Sequence, residues 1–438
     1  MADSILIKNG TIISSTETFA ADILLENGKI LEIRENIPSS ADQIIDANGL
    51  HILPGVIDPQ VHFRDPGLTH KEDLQTGSYA AAAGGVTGFL EMPNTNPATI
   101  TASLMAEKKK IASEKSIVNY NFFIGATEDN IDEQNSVENV PGIKIFMGSS
   151  TGDLLVSDRG ALDKIFANGT RLIAVHSEND EIINANQKIY AASGNFDDHR
   201  KIRSVDAALT STQFAVHLSE KYSRRLHVLH LTTIEEAEFL AAQINNPLIS
   251  AEVTPQHLTL AAPEIYDRLG AYAQMNPPIR SSRHREGLWK ALRAGVINCI
   301  ATDHAPHTDE EKSAPFGSAP SGMPGVETSL AVLLNEASKN MCSVNEVCKW
   351  MCESPAILYK MPGKGFIKKG FDADLAIVDL KKSKIVDKSQ LKSKCGWNPY
   401  EGTKLTGWNV MTICGGNIVF RDGEIIDTVK GTEIKFSR

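Results

Sequence analysis

The chain has 438 residues, of which 42% are hydrophobic, 22% charged and 6% aromatic, a composition that buries a large core and excludes disorder, collagen and coiled coil. Lysine and arginine number 44 against 54 aspartate and glutamate, a formal charge of −10, which is the wrong sign for a protein that grips a nucleic-acid backbone. The start has neither a basic n-region nor a long apolar segment, and no later stretch reaches the roughly 18 apolar residues of a membrane span. With six cysteines and no C-x-x-C pair, the expectation is a cytoplasmic protein with reduced, structural thiols, and no nucleic-acid or membrane partner.

In chain order, residues 4–8, 11–13, 22–26, 29–33 and 43–46 read as short strands, punctuated by the turn dipeptides Asn9-Gly10 and Asn27-Gly28. From Pro54 to about Lys364, apolar runs alternate with helical stretches, as units of strand and helix with a parallel sheet should. The expected strands are 56–62, 88–92, 119–125, 142–146, 171–176, 227–230, 248–252 and 298–303. Eight of them predict an α/β fold, a closed (β/α)8 barrel of the TIM type. After Gly365 the hairpin grammar returns in 373–379, 410–414, 416–420 and the turn Arg421-Asp422-Gly423-Glu424. The expected division is 1–54 and 365–438 as two parts of one small β-sandwich, with a catalytic barrel over 55–364. The Pro-rich, acidic stretch 305–324 is too irregular for a helix and reads as an active-site loop or lid.

A barrel carries its chemistry at the C-terminal ends of its strands. Along the first strand, alternation puts Asp58, Gln60, His62 and Arg64 on one face. In Gly142-Ile-Lys-Ile-Phe146 the isoleucines face outward, which turns Lys144 toward the interior, where an unpaired ammonium is costly. The fifth strand ends in His176, the sixth in His230 and the eighth in Asp303-His-Ala-Pro-His307. Imidazole nitrogen and carboxylate oxygen suit zinc, and a deprotonated lysine can take up carbon dioxide to give a carbamate whose two oxygens bridge two ions. A lone strand-end histidine is more often a hydrogen-bonded core residue than a ligand, but five suitable residues at five strand ends shift that balance. By contrast His51, His199, His217 and His284 read as surface or packing residues, His70 as solvated, and His227, three residues from His230, as facing away from the site and packing or capping structure.

These residues resemble a known family. The strings Gly-Val-Ile-Asp-Pro-Gln-Val-His62-Phe-Arg64-Asp-Pro-Gly, Glu-Met-Pro-Asn94-Thr-Asn-Pro, Glu252-Val-Thr-Pro, Met-Asn276-Pro-Pro-Ile-Arg and Ala-Thr-Asp303-His-Ala-Pro-His307 are similar to those of the cyclic amidohydrolases, most of all the dihydroorotase family. Gly-Phe-Asp-Ala-Asp374-Leu-Ala-Ile-Val and Cys395-Gly-Trp-Asn-Pro-Tyr-Glu-Gly extend the resemblance toward the C-terminus. It implies a metal-dependent barrel that interconverts dihydroorotate and N-carbamoyl-aspartate in pyrimidine synthesis. It also implies metal ligands at His62, Lys144 as the carbamate, His176, His230 and Asp303, with Asp303 as the catalytic acid and base. Substrate contacts are implied at His62, Arg64, Asn94, Asn276 and His307, and at Ser321 and Gly322. One departure is plain: the family has His-x-His on the first strand, whereas here Gln60 precedes His62, and an amide oxygen is a weaker zinc ligand than imidazole. One zinc is therefore expected firmly, and a second less so.

The competing expectations are an allantoinase or dihydropyrimidinase-like cyclic amidase, and a catalytically silent scaffold for aspartate transcarbamoylase. Arg64 with Asn94 favours a substrate that carries a carboxylate, because a guanidinium grips that group through paired, charge-assisted hydrogen bonds. A homodimer and an association with aspartate transcarbamoylase are the further expected partners.

Overall fold

The computed structural model describes residues 4–38, 40–149 and 154–437; the first three residues of the expected untargeted start lie outside them. At the N-terminus, β1 (Ser4–Ile13), β2 (Thr18–Glu26), β3 (Lys29–Arg34), β4 (Gln43–Asp46) and β5 (His51–Pro54) follow in turn. Asn27 and Gly28 both have positive φ, 51° and 75°, as the two-residue turn between β2 and β3 demands. Asn9-Gly10 does not turn the chain. It sits inside β1, where the register against β2 shifts and Asn9 takes φ 60°, which makes it a bulge. A side chain at Gly10 would meet Ile52 Cδ1 at 2.4 Å, so the dipeptide serves close packing instead of a hairpin.

The two β-rich ends join into one nine-stranded sheet, in the order β18-β17-β16-β15-β5-β1-β2-β3 with β4 beside β1. Its C-terminal members are β15 (Leu375–Ile385), β16 (Lys404–Cys414), β17 (Asn417–Arg421) and β18 (Glu424–Ile425). The seam is β5, parallel to β1 and antiparallel to β15. Ile5, Ile7, Ile23, Ile52, Ile377 and Ile413 form its shared apolar core. All six cysteines are buried and free of disulfides.

Between the ends lies a (β/α)8 barrel. Its strands are β6 (Val56–Val61), β7 (Val86–Glu91), β8 (Asn119–Phe122), β9 (Ile124–Gly125), β10 (Ile143–Phe146), β11 (Ile173–His176), β12 (Leu226–Val228), β13 (Ile249–Val253) and β14 (Cys299–Ile300). The expected third strand is one path broken at Phe123: β8 pairs with β7, and β9 pairs with β10. Closure runs through the end of β14. The His62 amide donates to His304 O at 2.8 Å, while the buried Asp58 carboxylate accepts from Thr302 N at 3.0 Å and Thr302 Oγ1 at 2.5 Å. Burial raises the Asp58 pKa to about 7, so the first and last strands are locked through a group that holds its proton into the neutral range.

The helices cover the barrel and are capped in the expected chemistry. Asp73 caps Leu74–Ala83, and Thr233 with Glu236 forms a capping box on Ile234–Ala241. Between β15 and β16 the chain leaves the terminal sheet. Lys392 and Ser393 donate their amides to the Glu327 carboxylate at 2.9–3.2 Å, and Trp397 Nε1 donates to His307 O at 2.8 Å, so this segment returns to the barrel mouth. Among the described residues no helix is long and apolar enough to cross a membrane.

Candidate active site

Gln60 from β6 and His62 just past its end, Lys144 from β10, His176 from β11, and His230 and Asp303 from the turns after β12 and β14 line one cavity. Arg64, His230 and Asp303 all have left-handed backbones, with φ of 65°, 37° and 47°. Such conformations are disfavoured for residues with a Cβ and persist where the surroundings enforce them. The turn at His230 ends strand alternation, which explains an expectation the structure overturns. His227 does not face away from the site. It points into the barrel floor, where it is fully buried and bonded to Ser250 Oγ and Glu252 Oε2, both at 2.9 Å. His227, Glu252 and Cys299 form a second compact group of potential ligands among the described residues, a strand layer below the cavity.

At the cavity the imidazoles are held neutral. Burial lowers the pKa of His62, His176 and His230, which leaves lone pairs available to a metal. His176 Nε2 donates to Glu178 Oε2 at 2.9 Å, which fixes the tautomer and turns Nδ1 inward, 3.1 Å from His230 Nε2. Two zinc–nitrogen bonds of about 2.0–2.1 Å at a tetrahedral angle put their nitrogens roughly 3.3 Å apart, so this pair fits one shared ion. Glu178 is itself clamped by Arg203, and the Arg203 guanidinium and the His176 hydrogen bond outweigh burial and hold its carboxyl down at about 2.

Lys144 is 1% exposed, and its Nζ has no hydrogen-bond partner and stands 4.4 Å from the Phe146 ring centroid. Burial brings its pKa down to about 7. Gln60 donates Nε2 to Asp303 Oδ1 at 3.1 Å, leaving Oε1 buried and unpartnered, and His62 Nε2 meets the same Asp303 oxygen at 3.1 Å. Orphaned polar atoms on Lys144 and Gln60 around inward imidazoles and a carboxylate are what a metal centre needs and an apolar cavity would not tolerate.

Arg64 makes part of the lining cationic. Arg64 is 1% exposed; its Nε donates to Pro306 O at 3.2 Å, and burial lowers its pKa to about 10, which keeps it charged at neutral pH. Asn94 Oδ1 is 2.7 Å from His62 Nδ1, so Asn94 steadies a candidate metal ligand as well as lining the cavity. Asn276, Ser321 and Gly322 line it too, whereas His307 sits one layer behind, against Ser321 O at 3.1 Å.

Sequence reasoning missed the supports. His199, read as a surface or packing residue, is buried, and its Nε2 lies 3.0 Å from Asn276 Oδ1, which aims the amide nitrogen at the cavity. His257, adjoining Thr254-Pro255, holds Pro277 O at 3.1 Å. Lys312 belongs to the only helical turn of the irregular loop, Asp309–Lys312. Its ammonium donates to the carbonyls of Gln274, Pro320 and Gly322 at 2.9–3.2 Å, tying the Asn276 segment to the Ser321-Gly322 segment. Lys312→Met is therefore expected to speed amide hydrogen exchange at Gly322, whose N–H donates to Gln274 O, by about tenfold or more. Unchanged protection there would remove Lys312 from that role.

Comparison with known proteins adds a separate line of evidence. The Amidohydrolase family model matches residues 51–419. A dihydroorotase of Methanosarcina acetivorans is 36% identical over 96% of this chain and 92% of its own. An L-hydantoinase of Paenarthrobacter aurescens is 34% identical over 96% of this chain and 95% of its own. Among solved structures, the L-hydantoinase (dihydropyrimidinase) from Arthrobacter aurescens superposes with a TM-score of 0.93 at 31% identity, over 99% of this chain and 100% of that one.

Proposed function

The chain belongs to the Amidohydrolase family and is a hydrolase of cyclic amides; on that footing we propose that its reaction is the reversible interconversion of dihydroorotate and N-carbamoyl-aspartate, a step of pyrimidine synthesis. The observation that carries this reading is the buried Arg64 guanidinium on the cavity wall. A buried cation facing a cavity calls for an anionic group on what fills it. Dihydroorotate carries a ring carboxylate that allantoin, hydantoin and dihydrouracil lack.

Members of this superfamily are generally metal-dependent. Lys144 as a carbamate, His176 and His230 would hold one zinc, and His62, the carbamate and Asp303 a second, with the Gln60 amide oxygen the weakest donor of the set. When bound, zinc polarises a carbonyl and supplies a nucleophile at neutral pH. The chain's own residues do the rest. Arg64, Asn94, Asn276, Ser321 and Gly322 orient the ring. Asp303 takes a proton from the attacking water on its carboxylate and returns it to the ring nitrogen as the amide bond breaks, acting as base and then acid. Hydration and ring closure use the same groups in opposite order, so the site serves both directions.

A hydantoinase is the second reading, favoured by the likeness to L-hydantoinase in sequence and fold. Purified protein assayed with dihydroorotate, hydantoin, dihydrouracil and allantoin separates the two. The expected result is preference for dihydroorotate; equal turnover of hydantoin would overturn it. Arg64→Met should raise KM for dihydroorotate by about 10²-fold or more, as loss of a charge-assisted pair does, while zinc content stays unchanged. Loss of activity that tracks departed zinc alone would give Arg64 a different role.

A further inference from the structure

Lys71 and Glu311 stand outside the cavity, and both reach the nitrogen of His307 that faces away from it. Lys71 Nζ lies 3.2 Å from His307 Nδ1 and 2.9 Å from Glu311 Oε1, and Glu311 Oε2 lies 3.3 Å from the same Nδ1. Across the ring, Nε2 is 3.1 Å from Ser321 O and 3.3 Å from Arg64 Nη2. An ammonium only donates and a peptide carbonyl only accepts. The shorter contact on each side therefore demands a lone pair on Nδ1 and a proton on Nε2, while the longer contact on each side demands the reverse. His307 is fully buried, and burial, with Arg64, Lys71 and Lys312 nearby, drives its pKa far down. The ring is neutral and must adopt one tautomer. Glu311 is a weak competitor for Nδ1, because Lys71 engages its Oε1 and Thr308 N donates to its Oε2 at 3.1 Å.

We propose that Lys71 is a positioning residue that fixes the Nε2–H tautomer of His307, so that Nε2 donates to Ser321 O and draws no N–H from Arg64, whose guanidinium stays whole for the anionic group of the substrate. The role rests on the reading of a carboxylate-bearing substrate and extends it to a residue one layer back. Without Lys71, Glu311 takes the Nδ1 proton. Nε2 then offers a lone pair, which repels Ser321 O and draws off an Arg64 N–H.

Nitrogen-15 NMR of histidine-labelled, substrate-free enzyme reads the tautomer directly, and steady-state kinetics with dihydroorotate reads the consequence. Wild type is expected to show Nε2–H at His307. Lys71→Met should show Nδ1–H, with KM raised about tenfold or more and kcat within about threefold. Lys71→Arg should keep both the tautomer and KM. Lys71→Met combined with Glu311→Leu removes the competing acceptor and should return the ring to Nε2–H, which also tests the idea if the single variant folds poorly. An Nδ1–H tautomer in wild type, or a Lys71→Met variant that keeps Nε2–H, overturns the proposal. So does a tautomer change that leaves KM untouched. Because the NMR measurement contains no substrate, failure of dihydroorotate as substrate would count against the proposed reaction and leave the tautomer result to stand or fall separately.

Discussion

Asp303→Asn should lower kcat by about 10²–10⁴-fold, the usual effect of losing a single general base. In the folded chain Asp303 Oδ1 accepts from Gln60 Nε2 at 3.1 Å and lies 3.1 Å from His62 Nε2. An asparagine oxygen still accepts the Gln60 hydrogen bond and fills the same volume, so the barrel mouth keeps its shape. What it cannot do is accept a proton from water and return it to a leaving nitrogen. Zinc analysis on the same preparation is the necessary companion, since Asp303 is also a proposed ligand. A zinc-loaded variant within a few-fold of wild-type rate would remove Asp303 from the proton transfer.

Much of the barrel was legible because buried parallel strands leave a local signal, short apolar runs such as Ile143–Phe146 between helical stretches. The strand-end chemistry was legible for the same reason: alternation turns Lys144 inward with no knowledge of the rest of the chain. Failures came where tertiary contacts override local pattern. Asn9-Gly10 has the grammar of a hairpin, yet Ile52 from β5 packs against it and the strand continues. The four residues of β5 were not among the expected strands, because only β1 and β15, more than 300 positions apart, make them a strand. His227 was misplaced by carrying alternation past the three-residue β12 into the left-handed turn at His230. His199, Lys71 and Lys312 act through groups distant in sequence. A signal existed only for Lys312, since a lysine inside a Pro-rich loop beside the expected site invites a question that composition alone cannot answer.

Lys144→Met should abolish turnover while stabilising the metal-free protein, a combination that follows from the burial of an unpartnered amine. The Lys144 pKa falls from 10.5 to about 7 because burial disfavours the ammonium. At about 1.4 kcal/mol per unit, a shift of that size costs the metal-free fold several kcal/mol. The folded chain binds fewer protons at this site than the unfolded one between the two pKa values, so stability rises as pH climbs from about 7 toward 10.5. Below the folded pKa the penalty is present in full. Lys144→Met lacks both the penalty and that slope, so thermal melts in chelator should show its largest advantage near pH 6 and a shrinking one by pH 10. A carbamate at Lys144, as proposed, would remove the ammonium by another route, replacing a disfavoured cation with an oxygen ligand for a metal. Zinc with bicarbonate should therefore raise the melting temperature of wild type and leave the Lys144→Met variant nearly unmoved. Equal stabilisation of both proteins would place the metal on other ligands, and a melting curve for Lys144→Met below that of wild type at pH 6 would show that Lys144 is paired in solution.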